Sequence, residues 1–456
     1  MPLLDSSDPR PVHFVGVAGA GMSALAQLFL RRGVPITGCD ANPASADDLR
    51  RLGVDVTTHD PSHVDGARAV VVTSAMPKDH PELRRARELD VPVIRRAEAL
   101  GEVTVGRELV GVAGTHGKTT TTVMTTTVLA SAGREPTGIV GGRVSAWEGN
   151  TFFGSDRLFV VEADEYDRSF LALSPTVAVV TNIEPDHLDI YTDLADIKRA
   201  FAQFVRGART IVLCADDAGS NSLATPSSSE VIRYGITSPD SRVIAKDLRL
   251  APGGSTFRVV FDDEDLGAVE LHIPGRHNVL NALAALSAGL GLGAKVPDMA
   301  AGLAAYRGVE RRFQVLGEES GVVVVDDYAH NPGKVSAALA TARIAYPDRR
   351  LVVAFQPHLF TRTRDFAKEF GAALATADAV FLTDIYPARE RPIEGVSSSL
   401  VGAALTAAGG RLEWTGTRTE LAEALAGEVR HGDVVVTVGA GDITKTGPEL
   451  LARLRR

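Results

Sequence analysis

The feature that most constrains this fold is a recurring short run of apolar residues, rich in valine, that ends in glycine or polar residues. Such runs are typical of strands buried on both faces, and helix-like stretches separate them. Strands alternating with helices predict parallel, doubly wound sheets, so we expect an α/β protein. The predicted strands cover residues 12–17, 35–40, 69–73, 91–94, 108–113, 158–162, 177–181, 210–214, 321–327, 351–355, 379–383 and 434–439.

One region departs from this pattern and helps to divide the chain. Residues 241–275 form short alternating runs separated by turns, which predicts an antiparallel addition to the α/β core. A helix is expected over residues 278–288, with Gly289 as its end. A chain of 456 residues has room for roughly three domains of about 150 residues each. We expect them at residues 1–107, 108–314 and 315–456.

Composition excludes several classes of function. The net charge is −9 and the basic residues are spread along the chain, which is not the concentrated basic face of a nucleic-acid-binding protein. No apolar run reaches the roughly 18 residues that cross a membrane. The two cysteines, Cys39 and Cys214, lie far apart and predict a reducing compartment. We therefore expect a cytoplasmic protein with small-molecule partners.

Residues 111–122, GVAGTHGKTTTT, have the order of a phosphate-binding loop: a strand, a glycine-rich turn and a helix start. In such a loop Lys118 reaches the β- and γ-phosphates, and Thr119 offers its hydroxyl to Mg²⁺. The strict pattern G-x-x-x-x-G-K-[ST] fails, because it needs glycine where the chain has Val112. The alternative is a tight strand-to-helix turn with an incidental lysine.

A second glycine loop follows the first predicted strand. Gly16, Gly19 and Gly21 have the order G-x-x-G-x-G rather than the dinucleotide order G-x-G-x-x-G. Asp40, at the end of the next strand, stands where an acid meets a ribose hydroxyl. The loop indicates a diphosphate site, for a nucleotide-linked substrate or a dinucleotide, and tight strand-to-helix packing is the alternative.

Polar loops follow other predicted strands. Residues 162–167 and 181–189 bring carboxylates and His187 to the edge of the phosphate loop, where they could hold Mg²⁺. Residues 326–332 and 356–364 bring histidines and arginines that suit a carboxylate or a phosphate. Solvated loops that cap the next helices are the alternative. The arginine pair in residues 308–314 suits phosphates or a solvated linker.

Ten motifs lie in this order along the chain: HFVGVAGAGMSALA, TSAMPKDHPEL, GTHGKTTT, VEADEYDRSF, TNIEPDHLDIY, GRHNVLNALAA, GVERRFQVLG, DDYAHNP, QPHLFTRT and LTDIYPARE. Taken together, they resemble the Mur ligases of bacterial cell-wall synthesis, over essentially the full chain and most closely the alanine-adding type. The resemblance implies a Rossmann-like N-terminal domain for the UDP-sugar, a P-loop ATPase-like central domain with antiparallel additions, and a Rossmann-like C-terminal domain that closes over both.

The resemblance also implies a reaction. The carboxylate of UDP-N-acetylmuramate attacks the γ-phosphate of ATP, with Mg²⁺, to give an acyl phosphate and ADP. The amine of L-alanine then attacks, and phosphate leaves. Closure would exclude water, which otherwise hydrolyses the acyl phosphate. Which histidine takes the proton of the amine stays open, as does a monomeric or dimeric state.

The family's residue roles carry over to matching positions. Residues expected at ATP are Gly114, Thr115, His116, Gly117, Lys118, Thr119, Thr120, His277, Asn278, Asn281 and Arg312. Those expected at the metal are Thr119, Glu162 and His187. Those expected at the UDP-sugar are Gly16, Gly19, Gly21, Asp40 and Ser74. Those expected at the amino acid are Tyr328, His358 and Arg362. Those expected in catalysis are Lys118, His187, Arg312, His330, His358 and Arg362, with Arg311 as a further candidate at the phosphates.

Some positions depart from the family's pattern. Asn331 stands in place of a second histidine, Leu359 in place of an arginine, and Tyr166 in place of a serine. The first two leave the choice of amino acid less certain. Ala202 matches the position of a carbamylated lysine in later Mur ligases, which fits the alanine-adding type.

Three rival interpretations remain. A ligase on the same scaffold could recycle a tripeptide. A phosphate-loop switch would have no ligase chemistry, although the polar loops in all three segments weaken this. A dinucleotide-dependent oxidoreductase is weakened by the order of the glycines and by the phosphate loop itself.

Overall fold

The fold consists of three separate sheets with helices between their strands, which confirms the α/β class. The computed structural model describes residues 3–73, 76–187, 190–388 and 390–455. The strands are β1 (Val12–Val15), β2 (Ile36–Cys39), β3 (Val56–Thr57), β4 (Ala69–Val72), β5 (Val93–Arg95), β6 (Glu108–Ala113), β7 (Thr137–Val144), β8 (Gly149–Phe152), β9 (Leu158–Glu162), β10 (Val177–Val180), β11 (Thr210–Cys214), β12 (Glu230–Gly235), β13 (Val243–Ala251), β14 (Gly254–Phe261), β15 (Glu264–Leu271), β16 (Gln314–Glu319), β17 (Val322–Asp327), β18 (Arg350–Phe355), β19 (Ala379–Thr383), β20 (Leu412–Gly416) and β21 (Asp433–Val438).

Helices connect most of the parallel strands. They are α1 (Ala20–Arg31), α2 (Asp47–Arg51), α3 (Pro81–Glu88), α4 (Arg96–Thr104), α5 (Lys118–Ser131), α6 (Leu194–Val205), α7 (Ala218–Asn221), α8 (Arg276–Gly291), α9 (Val296–Ala305), α10 (Pro332–Ala345), α11 (Phe360–Asp365), α12 (Ala367–Leu374), α13 (Ser399–Ala407), α14 (Arg418–Glu428) and α15 (Thr446–Leu454). Within the described ranges, none of these helices has both the length and the apolar character needed to cross a bilayer.

The first sheet has five strands in the order β3-β2-β1-β4-β5, all parallel. Strand β1 lies at its centre and is fully buried, as its apolar sequence predicts. The register pairs His13 with Thr37 and Val15 with Cys39. These four side chains share one face of the sheet, because side chains alternate along each strand.

The second sheet has ten strands in the order β15-β14-β13-β12-β11-β10-β6-β9-β7-β8. Strand β6 lies between β10 and β9 and is parallel to both. The carboxyl ends of these three strands therefore meet at one edge of the sheet, which is where ligands bind in open α/β folds. Two-residue turns join β13 to β14 and β14 to β15, which requires antiparallel neighbours and agrees with the predicted addition.

Helix α8 does not end at Gly289, so that part of the prediction was wrong. The helix continues to Gly291. A Cβ atom at Gly289 would lie 2.2 Å from the sulfur of Met299 on α9. The glycine therefore lets two helices pack closely, and its signal in the sequence is the same as that of a helix end.

The third sheet has six strands in the order β16-β17-β21-β18-β19-β20. Strand β16 is an antiparallel edge strand, and the others are parallel. The chain divides into two compact units, Met1–Asp247 with Phe257–Val269 and Leu280–Tyr306, and Leu248–Thr256 with Glu270–Val279 and Arg307–Arg456. The boundaries of the three expected domains stay a prediction.

Candidate active site

The phosphate loop lies between β6 and α5, as the sequence predicts, and depends on two glycines. Gly114 has φ 142° and Gly117 has φ 80°, backbone conformations that side chains disfavour. A Cβ atom at Gly114 would lie 2.0 Å from Thr181 Oγ1, and one at Gly117 would lie 2.5 Å from Asn281 Oδ1. Asn281 therefore lies directly against the loop, where it also accepts a hydrogen bond from Thr121 Oγ1 at 3.1 Å.

The loop after β10 holds the phosphate loop from one side. The Asn182 side chain accepts a hydrogen bond from the backbone N–H of His116 at 2.7 Å, and its carbonyl accepts one from Thr115 N–H at 3.0 Å. The imidazole of His116 lies 2.9 Å from a carboxylate oxygen of Glu184. The backbone N–H groups of Thr115 and His116 therefore already donate to Asn182 and do not point outward from the tip of the loop. Asn182 was missed as a candidate residue.

Lys118, the first residue of α5, forms a buried ion pair with Glu165. Its ammonium lies 2.7 and 2.9 Å from the two carboxylate oxygens and donates a third hydrogen bond to the carbonyl of Gly114 at 2.8 Å. The side chains are only 13% and 4% exposed. All three protons of the ammonium have acceptors at the mouth of the loop, so an arriving phosphate has to take the place of a carboxylate.

Electrostatics keep both members of this pair charged. Burial favours the neutral amine, but the negative charges of Glu165 and Asp164 outweigh it and raise the pKa of Lys118. Burial likewise favours the neutral acid, but Lys118 and His187 hold the pKa of Glu165 well below its usual range. The sequence analysis missed Glu165, although it follows the same strand as Glu162.

Two oxygen-bearing side chains meet beside the lysine. Thr119 Oγ1 donates a hydrogen bond to Glu162 Oε1 at 2.8 Å, and the other oxygen of Glu162 accepts the N–H of Gly141 at 2.7 Å. Thr119 and the neighbouring Thr120 are buried. The hydroxyl and the carboxylate supply the hard oxygen ligands that Mg²⁺ prefers.

His187 lies near the same carboxylate as Lys118. Its Nε2 is 3.5 Å from Glu165 Oε1, and its ring contacts that of Tyr166 with centroids 5.1 Å apart. The residue has φ 53°, a left-handed conformation uncommon for a non-glycine residue. The structure therefore brings Lys118 and His187 together around Glu165.

Helix α5 contains an unusual number of buried threonines. The hydroxyls of Thr122, Thr125, Thr126 and Thr127 each donate to the carbonyl four residues earlier, at 2.7 to 2.8 Å. These bonds satisfy hydroxyls that would otherwise be buried without partners. They explain how a sequence poor in helix formers makes a buried helix.

The second glycine loop lies at the end of β1. Gly16 has φ 77°, and Gly19 precedes the first residue of α1. A Cβ atom at Gly21 would lie 2.8 Å from the guanidinium of Arg96, which would have to move aside. Asp40 accepts the N–H of Ala18 at 3.0 Å and thereby holds the loop itself. Ser74 lies outside the described residues.

His277 and Asn278 belong to the second compact unit. Burial, with the charge of Arg312 as the second cause, lowers the pKa of His277 to about 4. His277 Nδ1 lies 3.4 Å from Thr341 Oγ1, and the side chain of Asn278 donates to the carbonyl of Pro274 at 2.7 Å. The imidazole is therefore neutral near pH 7.

Aromatic and basic side chains gather at the carboxyl ends of β17 and β18. The guanidinium of Arg312 lies 5.2 Å from the ring centre of Tyr328. His330 Nδ1 donates to the carbonyl of Tyr328 at 2.9 Å, and the rings of His330 and His358 are 5.8 Å apart. Arg362 donates to His358 Nδ1 at 3.4 Å. These five sequence-predicted residues thus form one cluster.

The guanidinium of Arg311 lies over the same ring as that of Arg312, 4.7 Å from the ring centre of Tyr328, but it also has partners elsewhere in the second unit. It donates to the carbonyl of Gly439 at 2.8 Å and lies 3.4 Å from a carboxylate oxygen of Asp326, which is 1% exposed. The same carboxylate accepts the hydroxyl of Thr444 at 2.7 Å. Arg311 therefore stabilises the second unit by joining Gly439 and Asp326.

The structure shows the surroundings of three of the positions that were compared with the family's pattern. Asn331 caps α10, because its side chain accepts the N–H of Lys334 at 2.9 Å. Leu359 has φ 71° and precedes α11. Ala202 lies on α6, partly buried against the core of the first unit.

Comparison with known proteins accounts for this arrangement. Three family descriptions match in order: Mur ligase family, catalytic domain (residues 11–107); Mur ligase middle domain (112–289); and Mur ligase, glutamate ligase domain (311–441). The chain belongs to the Mur ligase family. The resemblance inferred from the motifs is thereby confirmed.

Among relatives, this Mur ligase is 45% identical to the UDP-N-acetylmuramate–L-alanine ligase of Acidothermus cellulolyticus, over 99% of the chain and 98% of the relative. It is 43% identical to the enzyme of the same name from Streptomyces avermitilis, over 100% and 99%. The crystal structure of UDP-N-acetylmuramate-alanine ligase from Thermotoga maritima matches with a TM-score of 0.83 and 29% identity, covering 97% of this Mur ligase and 98% of the other chain.

Proposed function

We propose that this Mur ligase joins L-alanine to the carboxylate of UDP-N-acetylmuramate and cleaves ATP to ADP and phosphate. One observation carries the proposal: relatives with that printed activity match essentially the whole chain at 43–45% identity. The buried lysine of the phosphate loop supports it, since phosphoryl transfer between anions needs positive charge and positioning more than covalent catalysis.

Lys118 provides the charge for phosphoryl transfer. The γ-phosphate of ATP replaces Glu165 as the partner of the ammonium, and the lysine then stabilises the negative charge of the transferred group. The N–H groups at the start of α5 add the positive end of the helix dipole. Gly114 and Gly117 let the backbone approach the phosphates closely.

The oxygens of Thr119 and Glu162 fit Mg²⁺, which would neutralise phosphate charge there. His187 lies near these oxygens because it contacts Glu165, the carboxylate that also pairs with Lys118. An imidazole is an unusual ligand for Mg²⁺. The role of His187 at the metal is supported by position alone.

Further residues are assigned to the nucleotide and the amino acid. The neutral imidazole of His277 can accept or donate one hydrogen bond to the nucleotide, and Asn278 follows it on α8. Asn281, further along the same helix, belongs to the first unit. Arg312 brings a cation for phosphates. Tyr328, His358 and Arg362 are assigned to the amino acid and the acyl phosphate, with His330 nearby.

The second glycine loop is assigned to the diphosphate of the UDP-sugar. Gly16, Gly19 and Gly21 line it, Asp40 holds it, and Ser74 stays a prediction. The three domain boundaries given above also stay a prediction. We place the reaction in the cytoplasm, which is supported by two buried free thiols, Cys39 and Cys214.

The test is a substrate panel. Enzyme with MgATP and UDP-N-acetylmuramate receives L-alanine, glycine, L-serine or the L-alanyl-D-glutamyl-diaminopimelate tripeptide singly, and phosphate release and product mass are measured. We expect turnover with L-alanine and the mass of the amide product. Turnover with the tripeptide alone would overturn the proposal, and phosphate release that ignores every amine would indicate a plain ATPase.

A further inference from the structure

The first unit contains a second polar cluster, which the ligase chemistry does not use. The carboxylate of Glu82 lies at its centre and is 0% exposed. Around it are four histidines and a cysteine. We call this group the Glu82 cluster, and its members are His13, Cys39, His59, His63, His80 and Glu82.

The two oxygens of Glu82 face different partners. Oε1 lies 3.6 Å from His13 Nε2 and 2.9 Å from His63 Nδ1. Oε2 lies 3.1 Å from Cys39 Sγ and 3.5 Å from His59 Nδ1. Within the described chain, no lysine or arginine forms an ion pair with this carboxylate. Oε1 also accepts the backbone N–H of Asp60 at 3.1 Å, so the polar neighbours of this buried carboxylate are imidazoles, a thiol and an amide. None of them is a permanent cation, and a buried charge without one is costly.

Two of the histidines are oriented by threonines on neighbouring strands. His13 Nδ1 lies 2.9 Å from Thr37 Oγ1, and His63 Nε2 lies 3.1 Å from Thr57 Oγ1. In both rings the remaining nitrogen faces Glu82. His13 Nε2 is fully buried and makes no hydrogen bond in the described structure. In metal-binding histidines a hydrogen bond at one nitrogen orients the ring and leaves the other nitrogen for the metal. Here the threonines hold one nitrogen of each ring, and the two remaining nitrogens converge on Glu82 Oε1.

We propose that His13 Nε2, Cys39 Sγ, His63 Nδ1 and one oxygen of Glu82 bind a single divalent transition-metal ion, with Zn²⁺ the best match. These four donor atoms all lie within 4.8 Å of one another. Tetrahedral zinc with these ligands needs donors ~3.3–3.8 Å apart, so small side-chain adjustments complete the site. A mixed sulfur, nitrogen and oxygen set excludes Mg²⁺ and Ca²⁺, which prefer oxygen ligands alone.

The scaffold of the site is rigid. His13 and Cys39 lie on the adjacent central strands β1 and β2 and share one face of the sheet. Glu82 is the second residue of α3, which packs over that face. His59 Nδ1 lies 3.1 Å from Cys39 Sγ, and can donate a hydrogen bond to the sulfur from outside the coordination shell.

The site lies directly beneath the second glycine loop, which contains Gly16. The carbonyl of Cys39 accepts the N–H groups of Gly16 and Val17 at 2.8 and 3.0 Å. A metal bound through the side chain of Cys39 would therefore hold the backbone that carries this loop. This makes the ion structural, because no open coordination position is needed for chemistry.

The test uses the full-length protein, freed of metal with a chelator and titrated with Co²⁺ while excess Mg²⁺ occupies oxygen-rich sites. Co²⁺ reports tetrahedral geometry by its visible absorption and a bound thiolate by a charge-transfer band. We expect both signals to saturate at one equivalent. Cys39→Ser should abolish the charge-transfer band and weaken binding by roughly 100-fold or more, above the 10–100-fold loss typical of an outer partner.

Cys214→Ser is the matched control, because Cys214 is also a buried free thiol but lies outside the cluster. It should keep both signals. His63→Gln tests the site in a variant with its thiol intact, and should keep the thiolate band but weaken Co²⁺ binding. Thermal unfolding followed by circular dichroism checks that each variant is folded.

Zinc-soaked crystals give a second readout that does not depend on any variant folding. An anomalous peak among His13, Cys39, His63 and Glu82 is the expected result. A thiolate band that survives Cys39→Ser, or the absence of both the band and the peak in the wild-type protein, would overturn the proposal. The cluster would then be a network of hydrogen-bonded histidines around Glu82.

Discussion

Replacing Lys118 with methionine removes the only cation of a buried ion pair and leaves a similar volume behind. The carboxylate of Glu165 is 4% exposed and loses both of its contacts to the ammonium. Breaking a buried pair from one side typically costs about 3–5 kcal/mol, because the remaining charge is left without compensation. We expect the variant to be inactive and, above neutral pH, destabilised by this amount.

The pH dependence of this loss has a definite sign. In the wild-type protein the pKa of Glu165 is lowered, so its stabilising contribution is present above about pH 5 and is lost only in acid. Without Lys118, burial raises the pKa of Glu165, and His187 at 3.5 Å opposes only part of that rise. Stability is then retained near pH 4.5 and declines as pH rises, towards the loss of about 3–5 kcal/mol that a one-sided break of a buried pair costs.

The assay is urea unfolding of the first unit between pH 5 and 8. Trp147 lies in the first unit and Trp414 in the second, so a Trp414→Phe background leaves a fluorescence probe for the first alone. The control is Lys118→Met combined with Glu165→Gln, which removes the titrating group. We expect this double variant to unfold at a urea concentration that does not depend on pH over this range.

The reasoning is refuted if Lys118→Met unfolds within about 1 kcal/mol of the wild-type protein at both ends of the pH range. That result would mean that solvent, rather than Lys118, compensates the charge of Glu165. Binding of UDP-N-acetylmuramate, measured by calorimetry, should stay within about threefold of wild type, since Lys118 is not in the glycine loop of the first sheet.

Three further predictions concern the same site. Gly114→Ala should abolish nucleotide binding in a fluorescence titration, because its Cβ would lie 2.0 Å from Thr181 Oγ1. Gly106→Ala is the control, because Gly106 also has a positive φ, 71°, but no atom lies within 4 Å of an added Cβ. This control should lower the free energy of unfolding by only about 1–2 kcal/mol. Glu162→Gln should raise the Mg²⁺ concentration for half-maximal turnover by about tenfold or more, equivalent to about 1.4 kcal/mol, and an unchanged value would remove Glu162 from the metal site. Thr126→Val should change the free energy of unfolding by less than about 1 kcal/mol in urea titrations, because the carbonyl it contacts belongs to a helix.

Much of the fold followed from the sequence because the central strands are short and apolar. The predicted strands 108–113, 158–162, 210–214 and 379–383 have the bounds that the structure shows. Since parallel strands align their carboxyl ends, the meeting of Lys118, Thr119 and Glu162 could be expected as well. The end of α8 could not, because a glycine at a helix crossing and one at a helix end look alike in sequence.

Other parts of the site needed three-dimensional information. Residues 162–167 contain four acids, and nothing in their order shows that Glu165 is the one that reaches Lys118. Which acid reaches Lys118 depends on the conformation of the turn after β9. The Glu82 cluster was even harder to predict from the sequence, because His13 and Glu82 lie far apart in the chain and meet only when β1 and α3 pack on one another.

The threonines of α5 have a consequence for how the protein folds. A helix with so many β-branched residues has low intrinsic stability and cannot persist before its surroundings form. Four of its hydroxyls bond within the helix, so its stability comes mainly from burial against the ten-stranded central sheet. Amide protection in α5 should therefore appear together with that of β7 and β9, the strands it packs against, not ahead of it. Lys118 is the first residue of this helix, so a chain with an incomplete central sheet has no organised phosphate loop.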